Sequence, residues 1–276
     1  MFNAHVHSSM SFDSAVPRAE MAKAAVRAGL SGLCFTDHYD VIDGDGAYVP
    51  DYDWSAVRAA HAAAREAAAG RLTLNYGLEL GNAPYGFETA ERVLDAEREL
   101  DFVLGSIHNA SERLDYRDYY YIDYRDEAIC HKYLDDYFEQ LERLVAWGRF
   151  DSLAHVPYPL RYMVRRDGVE VDIARYEASI DSMLRTIIAR SQAIEVNSAK
   201  RAQMAPEYGY LLERYRALGG ELVTVGTDAH NPAQIALGLR AAYMLLLEKG
   251  FETVAVFKRR KYERVSIRKL LGMEQV

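Results

Sequence analysis

Short apolar runs alternate with amphipathic segments along most of the chain. Seven runs rich in Val, Ile, Leu and Phe predict buried strands at residues 2–7, 32–36, 72–79, 102–107, 151–155, 193–197 and 221–226. Apolar positions at helical spacing predict helices at residues 17–28, 54–69, 89–99, 126–147, 173–190, 206–218 and 232–249. Glycines just after several of these helices are typical C-cap residues. Strands that alternate with helices predict a sheet of parallel strands joined by helical crossovers.

Three longer polar segments interrupt this alternation and predict loops at residues 39–53, 109–125 and 156–171. The second loop carries five tyrosines, at positions 116, 119, 120, 121 and 124. These rings could line a substrate pocket or form an ordered lid that packs on the barrel. The tail at residues 251–267 predicts a short strand or hairpin outside the barrel.

Potential metal ligands concentrate where the predicted strands end. Six of the eight histidines lie there, and a glutamate ends the third strand; they are His5, His7, His38, His108, His155, His230 and Glu79. Imidazole and carboxylate groups are the usual protein ligands of Zn, Fe and Mn. An open doubly wound sheet would spread these groups along a line, whereas the rim of a barrel gathers them. We therefore predict a single-domain α/β fold over residues 1–276, a closed or nearly closed seven-stranded barrel around a multinuclear metal site.

Individual positions differ in how strongly they indicate metal binding. His5 and His7 are two residues apart on a strand, so both side chains face the same side. Glu79 ends an apolar strand, and a buried carboxylate needs a cation or strong hydrogen bonds; an internal arginine partner is the alternative. Taken alone, His108 and His155 are equally compatible with hydrogen-bonded core histidines.

Acidic residues accompany three of these positions. Asp37 precedes His38, and Asp228 precedes His230 by two residues, so each cluster combines a carboxylate with an imidazole at a strand exit. Asp13 follows the first strand and could fold back over the rim, or it could cap the first helix.

Composition excludes several other classes of protein. The chain has 276 residues, 50% hydrophobic and 27% charged, with a net charge of −8, which argues against nucleic-acid binding. The basic run at residues 258–269 is expected mainly to be the solvated face of the terminal hairpin. The two cysteines, Cys34 and Cys130, form no CxxC pair, which argues against a disulfide framework. With no signal peptide and no apolar stretch long enough to span a bilayer, we expect a cytoplasmic protein.

The strand-end motifs together resemble those of the polymerase and histidinol phosphatase (PHP) family. In chain order they are HVHSSMSFDS, FTDH, YGLELG, GSIHN, LAHV and GTDAH. The chain is more closely similar to the stand-alone histidinol-phosphate phosphatases of that family. This resemblance implies a distorted TIM-like (β/α)7 barrel that holds three metal ions, Zn, Fe or Mn. It assigns His5, His7, Glu79 and Asp228 to the first ion, Glu79, His108 and His155 to the second, and Asp13, His38 and His230 to the third.

The same resemblance implies hydrolysis of L-histidinol phosphate, with a metal-activated water as nucleophile. Asp228 and His230 are the candidates for proton handling, and Arg161 with either Arg201 or Lys200 for phosphate binding. A phosphoesterase acting on another small phosphate ester and a non-catalytic, metal-stabilised module remain as alternatives. The expected partner is a small phosphate monoester; whether the chain forms a homo-oligomer is left open.

Overall fold

A ring of parallel strands forms the centre of the computed structural model, which describes residues 1–49 and 52–273. The strands are β1 (Phe2–Val6), β2 (Gly32–Phe35), β3 (His38–Asp40), β4 (Thr73–Gly81), β5 (Phe102–Ser106), β6 (Ser152–Leu153), β7 (Ala193–Asn197) and β8 (Val223–Gly226). β2 and β3 pair with successive parts of β4, so they share one position in the ring. The order around the barrel is β1-β2-β4-β5-β6-β7-β8.

Backbone hydrogen bonds between the first and last strand positions complete the ring. The amide of His7 donates to the carbonyl of Ala229 over 2.9 Å, and the amide of Asp228 donates to the carbonyl of His5 over 3.0 Å. Both bonds lie at the carboxyl end of the strands, where the predicted ligands are. The predicted single-domain, seven-stranded α/β barrel is thereby confirmed, and the open-sheet alternative is wrong.

Amphipathic helices surround the barrel and cover its outer apolar face. They are α1 (Arg18–Arg27), α2 (Trp54–Ala68), α3 (Phe87–Ala96), α4 (Glu127–Trp147), α5 (Leu160–Met163), α6 (Glu177–Ala189), α7 (Glu207–Ala217), α8 (Leu239–Glu248) and α9 (Ile267–Leu270). Asp53 and Asp126 cap α2 and α4 by accepting backbone N–H groups, and Gly148 ends α4 in the left-handed conformation. No helix of the described chain has the length and apolar character needed to cross a bilayer.

The structure corrects several predicted elements, and the loop predicted at residues 156–171 contains the short helix α5. The loop predicted at residues 39–53 begins with β3, because His38 to Asp40 pair in register with Glu79 to Gly81. Residues 50 and 51 of that loop lie outside the described residues, as do residues 274–276 of the predicted domain. The helix predicted at residues 173–190 begins with a 3₁₀ turn, Ile173–Tyr176. The helix predicted at residues 232–249 is divided by Gly238, whose φ of +79° ends a turn before α8.

A C-terminal hairpin covers the amino end of the barrel, opposite the predicted ligands. Its antiparallel strands are β9 (Thr253–Lys258) and β10 (Lys261–Ser266). The ring of Phe257 stacks on that of Phe102 at 5.1 Å, and Asn75 donates a hydrogen bond to the Phe257 carbonyl. Arg260 pairs with Asp151. The hairpin thus supplies apolar side chains to a barrel end that would otherwise be open.

Candidate metal centre

The carboxyl ends of the strands surround a cavity of about 1060 Å³. Seven of the nine predicted ligands line it: Asp13, His38, Glu79, His108, His155, Asp228 and His230. His5 and His7 lie beneath these residues, fully buried. All nine predicted side chains therefore meet at one end of the barrel, although their positions in the chain are up to 225 residues apart.

Glu79 lies at the centre of this cluster. Its Oε2 atom is 2.8 Å from His5 Nε2 and 3.3 Å from His7 Nε2. Its Oε1 atom is 2.9 Å from His155 Nε2 and 3.2 Å from His108 Nε2. Within the described residues its ion-pair partners are histidines, so the internal arginine considered for this carboxylate is not the partner found here.

The charge state of Glu79 is set by these histidines. Burial alone would raise the pKa of the carboxyl group, but the charges of His5, His38 and His108 outweigh burial and hold the pKa well below its usual value. The carboxylate is thus ionised, and its two oxygens face different imidazole nitrogens: Oε1 faces those of His108 and His155, and Oε2 faces those of His5, His7 and His38. That is the arrangement expected of a carboxylate that bridges two cations.

Three groups of side chains are compact enough to hold a metal ion. They are His7, Asp13, His38 and His230; His5, His7 and Asp228; and His38, Glu79 and His108. In each group the ligand atoms all lie within 4.8 Å of one another. These groups differ from the three ligand sets that the family resemblance implies. His7 and His38 each belong to two groups, and His155 belongs to none of them but contacts Glu79.

Most of the histidines are oriented by partners on their outer nitrogen. His5 Nδ1 lies 2.7 Å from Glu195 Oε1, and His108 Nδ1 lies 2.8 Å from Asp40 Oδ2. His7 Nδ1 lies 3.1 Å from Ser11 Oγ, and His230 Nδ1 lies 2.8 Å from the backbone oxygen of Asp228. An Nδ1 that donates to such an acceptor leaves the lone pair on Nε2, which points into the cluster.

His38 and His155 differ from these four histidines, because the Nδ1 of neither ring has a hydrogen-bond partner among the described residues. Burial lowers the pKa of His155 to about 4. The residue is therefore a neutral imidazole in the barrel, with Nε2 directed at Glu79.

The backbone is strained at two of the predicted ligands. The φ angle of His155 is +22° and that of Asp228 is +59°, conformations that residues other than glycine adopt rarely. Such backbone strain concentrates at functional sites.

The donor set fits metal ions. His5 Nε2 and His7 Nε2 approach to 2.9 Å, although the outer nitrogen of each ring already has a partner. Two lone pairs that converge in this way repel each other unless a proton or a metal cation lies between them, and the buried imidazole and carboxylate groups that meet here offer several ligand atoms to a metal ion. Imidazole and carboxylate ligands suit Zn, Fe and Mn, in keeping with the metals expected from the sequence.

Two cations lie on one side of the cluster. Arg161 Nη1 is 3.1 Å from Asp228 Oδ2, and Lys200 Nζ is 3.8 Å from Asp228 Oδ1. Burial alone would lower the pKa of Arg161, but the charge of Asp228 outweighs it and raises that pKa. Arg201 also lines the cavity, with an exposed side chain. Of these two neighbouring residues, Lys200 is the one that forms an ion pair with a predicted ligand, Asp228.

The acidic residues that contact the cluster differ in part from those that the motifs indicate. Asp37, although it precedes His38 in the chain, accepts hydrogen bonds from Ser8 and Ser11 and pairs with the buried Arg18 rather than with a predicted ligand. Glu195 and Asp40, which contact His5 and His108, went unnoticed. Glu195 lies in the apolar strand AIEVN, and the signal that identified Glu79, a carboxylate within an apolar strand, could have found it as well.

Comparison with known proteins identifies the family. Residues 3–199 match the PHP domain. The chain belongs to the PHP domain family. Among its relatives, the histidinol-phosphatase of Lactococcus lactis subsp. lactis is 26% identical over 273 residues, which cover 94% of this chain and 95% of that protein. A "probable histidinol-phosphatase" of Thermotoga maritima is 26% identical over 260 residues, covering 93% and 95%.

A solved structure of another protein has the same architecture. The crystal structure of histidinol phosphate phosphatase from Lactococcus lactis, complexed with Zn, L-histidinol and phosphate, superposes with a TM-score of 0.77 at 24% sequence identity. The match covers 95% of this chain and 98% of that one. The shared fold therefore extends over nearly the whole length of both chains.

Proposed function

We propose that this PHP protein is a metal-dependent phosphatase that hydrolyses L-histidinol phosphate to L-histidinol and phosphate. The observation that carries the proposal is the cluster of three ligand groups around Glu79, open to a cavity with Arg161 and Lys200 at its edge. The named relatives, which align over nearly their whole length, support the choice of substrate.

Nine side chains would hold the metal ions: His5, His7, Asp13, His38, Glu79, His108, His155, Asp228 and His230. Bound metal ions of this kind acidify a water molecule towards neutral pH and neutralise phosphoryl oxygens. Protein side chains then need only orient the ester and handle protons, because no protein nucleophile is required. The ligand overlap at His7 and His38 means that removing either side chain would weaken two groups together.

Arg161 and Lys200 would bind the phosphate. Arg161 presents a planar guanidinium that can donate two parallel hydrogen bonds to phosphate oxygens, whereas Lys200 contributes a single positive charge. Asp228 lies within 4.0 Å of both cations and holds them towards the cluster. Arg201 is the weaker candidate because its side chain is exposed at the edge of the cavity.

Asp228 is the better-placed of the two candidates for proton handling. Its Oδ1 lies 3.3 Å from His7 Nε2 and its Oδ2 faces Arg161, so it connects the ligand cluster with the phosphate side. His230 has both ring nitrogens engaged, Nδ1 with the Asp228 backbone and Nε2 with Asp13 at 2.5 Å. We assign His230 mainly to metal ligation and Asp228 to both roles.

The proposal is tested by phosphate release from L-histidinol phosphate, p-nitrophenyl phosphate, a sugar phosphate and a nucleotide. The chain is stripped of metal with a chelator and assayed before and after addition of Zn, Mn or Fe. We expect metal-dependent hydrolysis with the highest kcat/KM for L-histidinol phosphate. A higher kcat/KM for another ester would refute the substrate, and a metal-loaded chain inactive on all four would refute the phosphatase assignment.

A further inference from the structure

Two buried carboxylates lie just outside the ligand groups, and each contacts the outer nitrogen of an inner histidine. Glu195 Oε1 is 2.7 Å from His5 Nδ1, and Asp40 Oδ2 is 2.8 Å from His108 Nδ1. Neither carboxylate belongs to any of the three groups that could hold an ion. Both are buried, at 0% and 7% exposure, so neither can be satisfied by bulk water.

Each carboxylate is fixed in position by a second set of hydrogen bonds. Glu195 Oε2 accepts from the backbone N–H of His155 at 2.9 Å and from Asn197 Nδ2 at 3.1 Å. Asp40 Oδ2 also accepts from Asn82 Nδ2 at 3.1 Å. A carboxylate immobilised in this way fixes the plane of the imidazole that donates to it, which sets the direction of Nε2.

Two glycines at strand ends make room for these pairs. A Cβ added at Gly226 would lie 2.3 Å from Glu195 Oε1 and 2.3 Å from His5 Cβ, and a Cβ at Gly81 would lie 2.1 Å from Asp40 Oδ1. Neither glycine has a positive φ, so the backbone conformation does not require glycine there. The space left by the absent side chain is instead filled by the carboxylate, at both places.

We propose that Glu195 and Asp40 are positioning residues, which hold His5 and His108 in the tautomer and orientation that bind metal. The inference rests on the metal centre of the proposed function. Each ring, with Nδ1 donating to a carboxylate, presents an Nε2 made more basic by the adjacent negative charge. Glu195 acts on the group of His5, His7 and Asp228, and Asp40 on the group of His38, Glu79 and His108.

The test compares zinc binding by the apo forms of wild type, Glu195→Gln and Asp40→Asn. Affinity is measured by competition with a chromophoric chelator, and release by the rate of zinc loss to excess chelator. Loss of an outer partner typically costs 10- to 100-fold in metal affinity, so we expect roughly that reduction and faster release for one zinc ion per variant. The two variants should weaken different ions, because they act on different ligand groups.

Asp136→Asn is the matched control. Asp136 is equally buried, at 4% exposure, and accepts hydrogen bonds from Ser111 and Arg113, but none from a histidine of the centre. We expect this variant to lower the thermal stability of the apo-protein while its zinc affinity stays at the wild-type value. A purely structural role of Glu195 and Asp40 would give the same pattern, with Tm reduced and zinc affinity unchanged, and would overturn the proposal.

The two carboxylates provide independent tests. If Glu195→Gln does not fold, as judged by circular dichroism, the zinc affinity of Asp40→Asn tests the same positioning role at His108. Zinc titration does not depend on turnover, so a chain that binds zinc but leaves L-histidinol phosphate intact would refute the substrate alone. A folded wild-type chain that binds no zinc, Mn or Fe would overturn the metal centre and this inference with it.

Discussion

Arg161 offers the most direct test of how the protein would recognise phosphate. The Arg161 side chain is 13% exposed, and its Nη1 lies 3.1 Å from Asp228 Oδ2, at the edge of the ligand cluster. A hydrogen bond to a charged group contributes about 1.5–3 kcal/mol. Since each 1.4 kcal/mol corresponds to a factor of ten, Arg161→Ala should lower kcat/KM for L-histidinol phosphate by about 10- to 150-fold.

The assay measures steady-state phosphate release together with zinc content per chain. Arg161→Lys keeps the positive charge but loses the planar pair of donors, so we expect a smaller loss of kcat/KM than in Arg161→Ala. Arg185→Ala is the control, because Arg185 is 67% exposed and its ion-pair partner is Asp181, outside the centre. An unchanged kcat/KM in Arg161→Ala, or a loss of zinc that accounts for the whole decrease, would refute the role in phosphate binding.

Three further predictions test the phosphate-binding side chains, the central carboxylate and the C-terminal hairpin. Lys200→Ala should raise KM for the phosphate ester more than Arg201→Ala does, because only Lys200 approaches Asp228; equal effects in steady-state kinetics would contradict this. Glu79→Ala should lose bound metal and nearly all activity, and full zinc content with wild-type turnover would rule out the bridge. Phe257→Ala should destabilise the fold by about 3–5 kcal/mol in urea unfolding, while activity per folded molecule stays unchanged because the hairpin covers the opposite end of the barrel.

Local sequence carried most of the information about the ligands. Apart from Asp13, which lies in the loop after the first strand, each predicted ligand lies within or just after an apolar run. Parallel strands bring their carboxyl ends to one rim, so the fold class and these positions could be predicted together. Glu79 illustrates the argument: a carboxylate within the run LTLNYGLELG is costly to bury without a cation, and the structure surrounds it with imidazole nitrogens.

Pairings across the barrel were harder to predict because they depend on register. Asp37 directly precedes the predicted ligand His38 in the chain, yet its side chain pairs with Arg18. Asp40, two residues beyond His38, reaches His108 because β3 continues beside β4 and Gly81 leaves space for its carboxylate. Proximity to His38 in the chain therefore does not identify the aspartate that contacts the cluster, because Asp40, two residues away on β3, lies on the same face as His38.

The same reasoning explains why glycine matters at the ends of β4 and β8. Sequence alone gives a glycine in a strand several meanings, among them a bulge, a bend or a close approach. At Gly81 and Gly226 the structure selects close approach, and in both cases the approaching group is a carboxylate that contacts a histidine. A strand-end glycine opposite a buried acid on a neighbouring strand is therefore a pattern by which positioning carboxylates of this kind can be sought in other barrels. It identifies the partner of a ligand, which the ligand motifs themselves do not reveal.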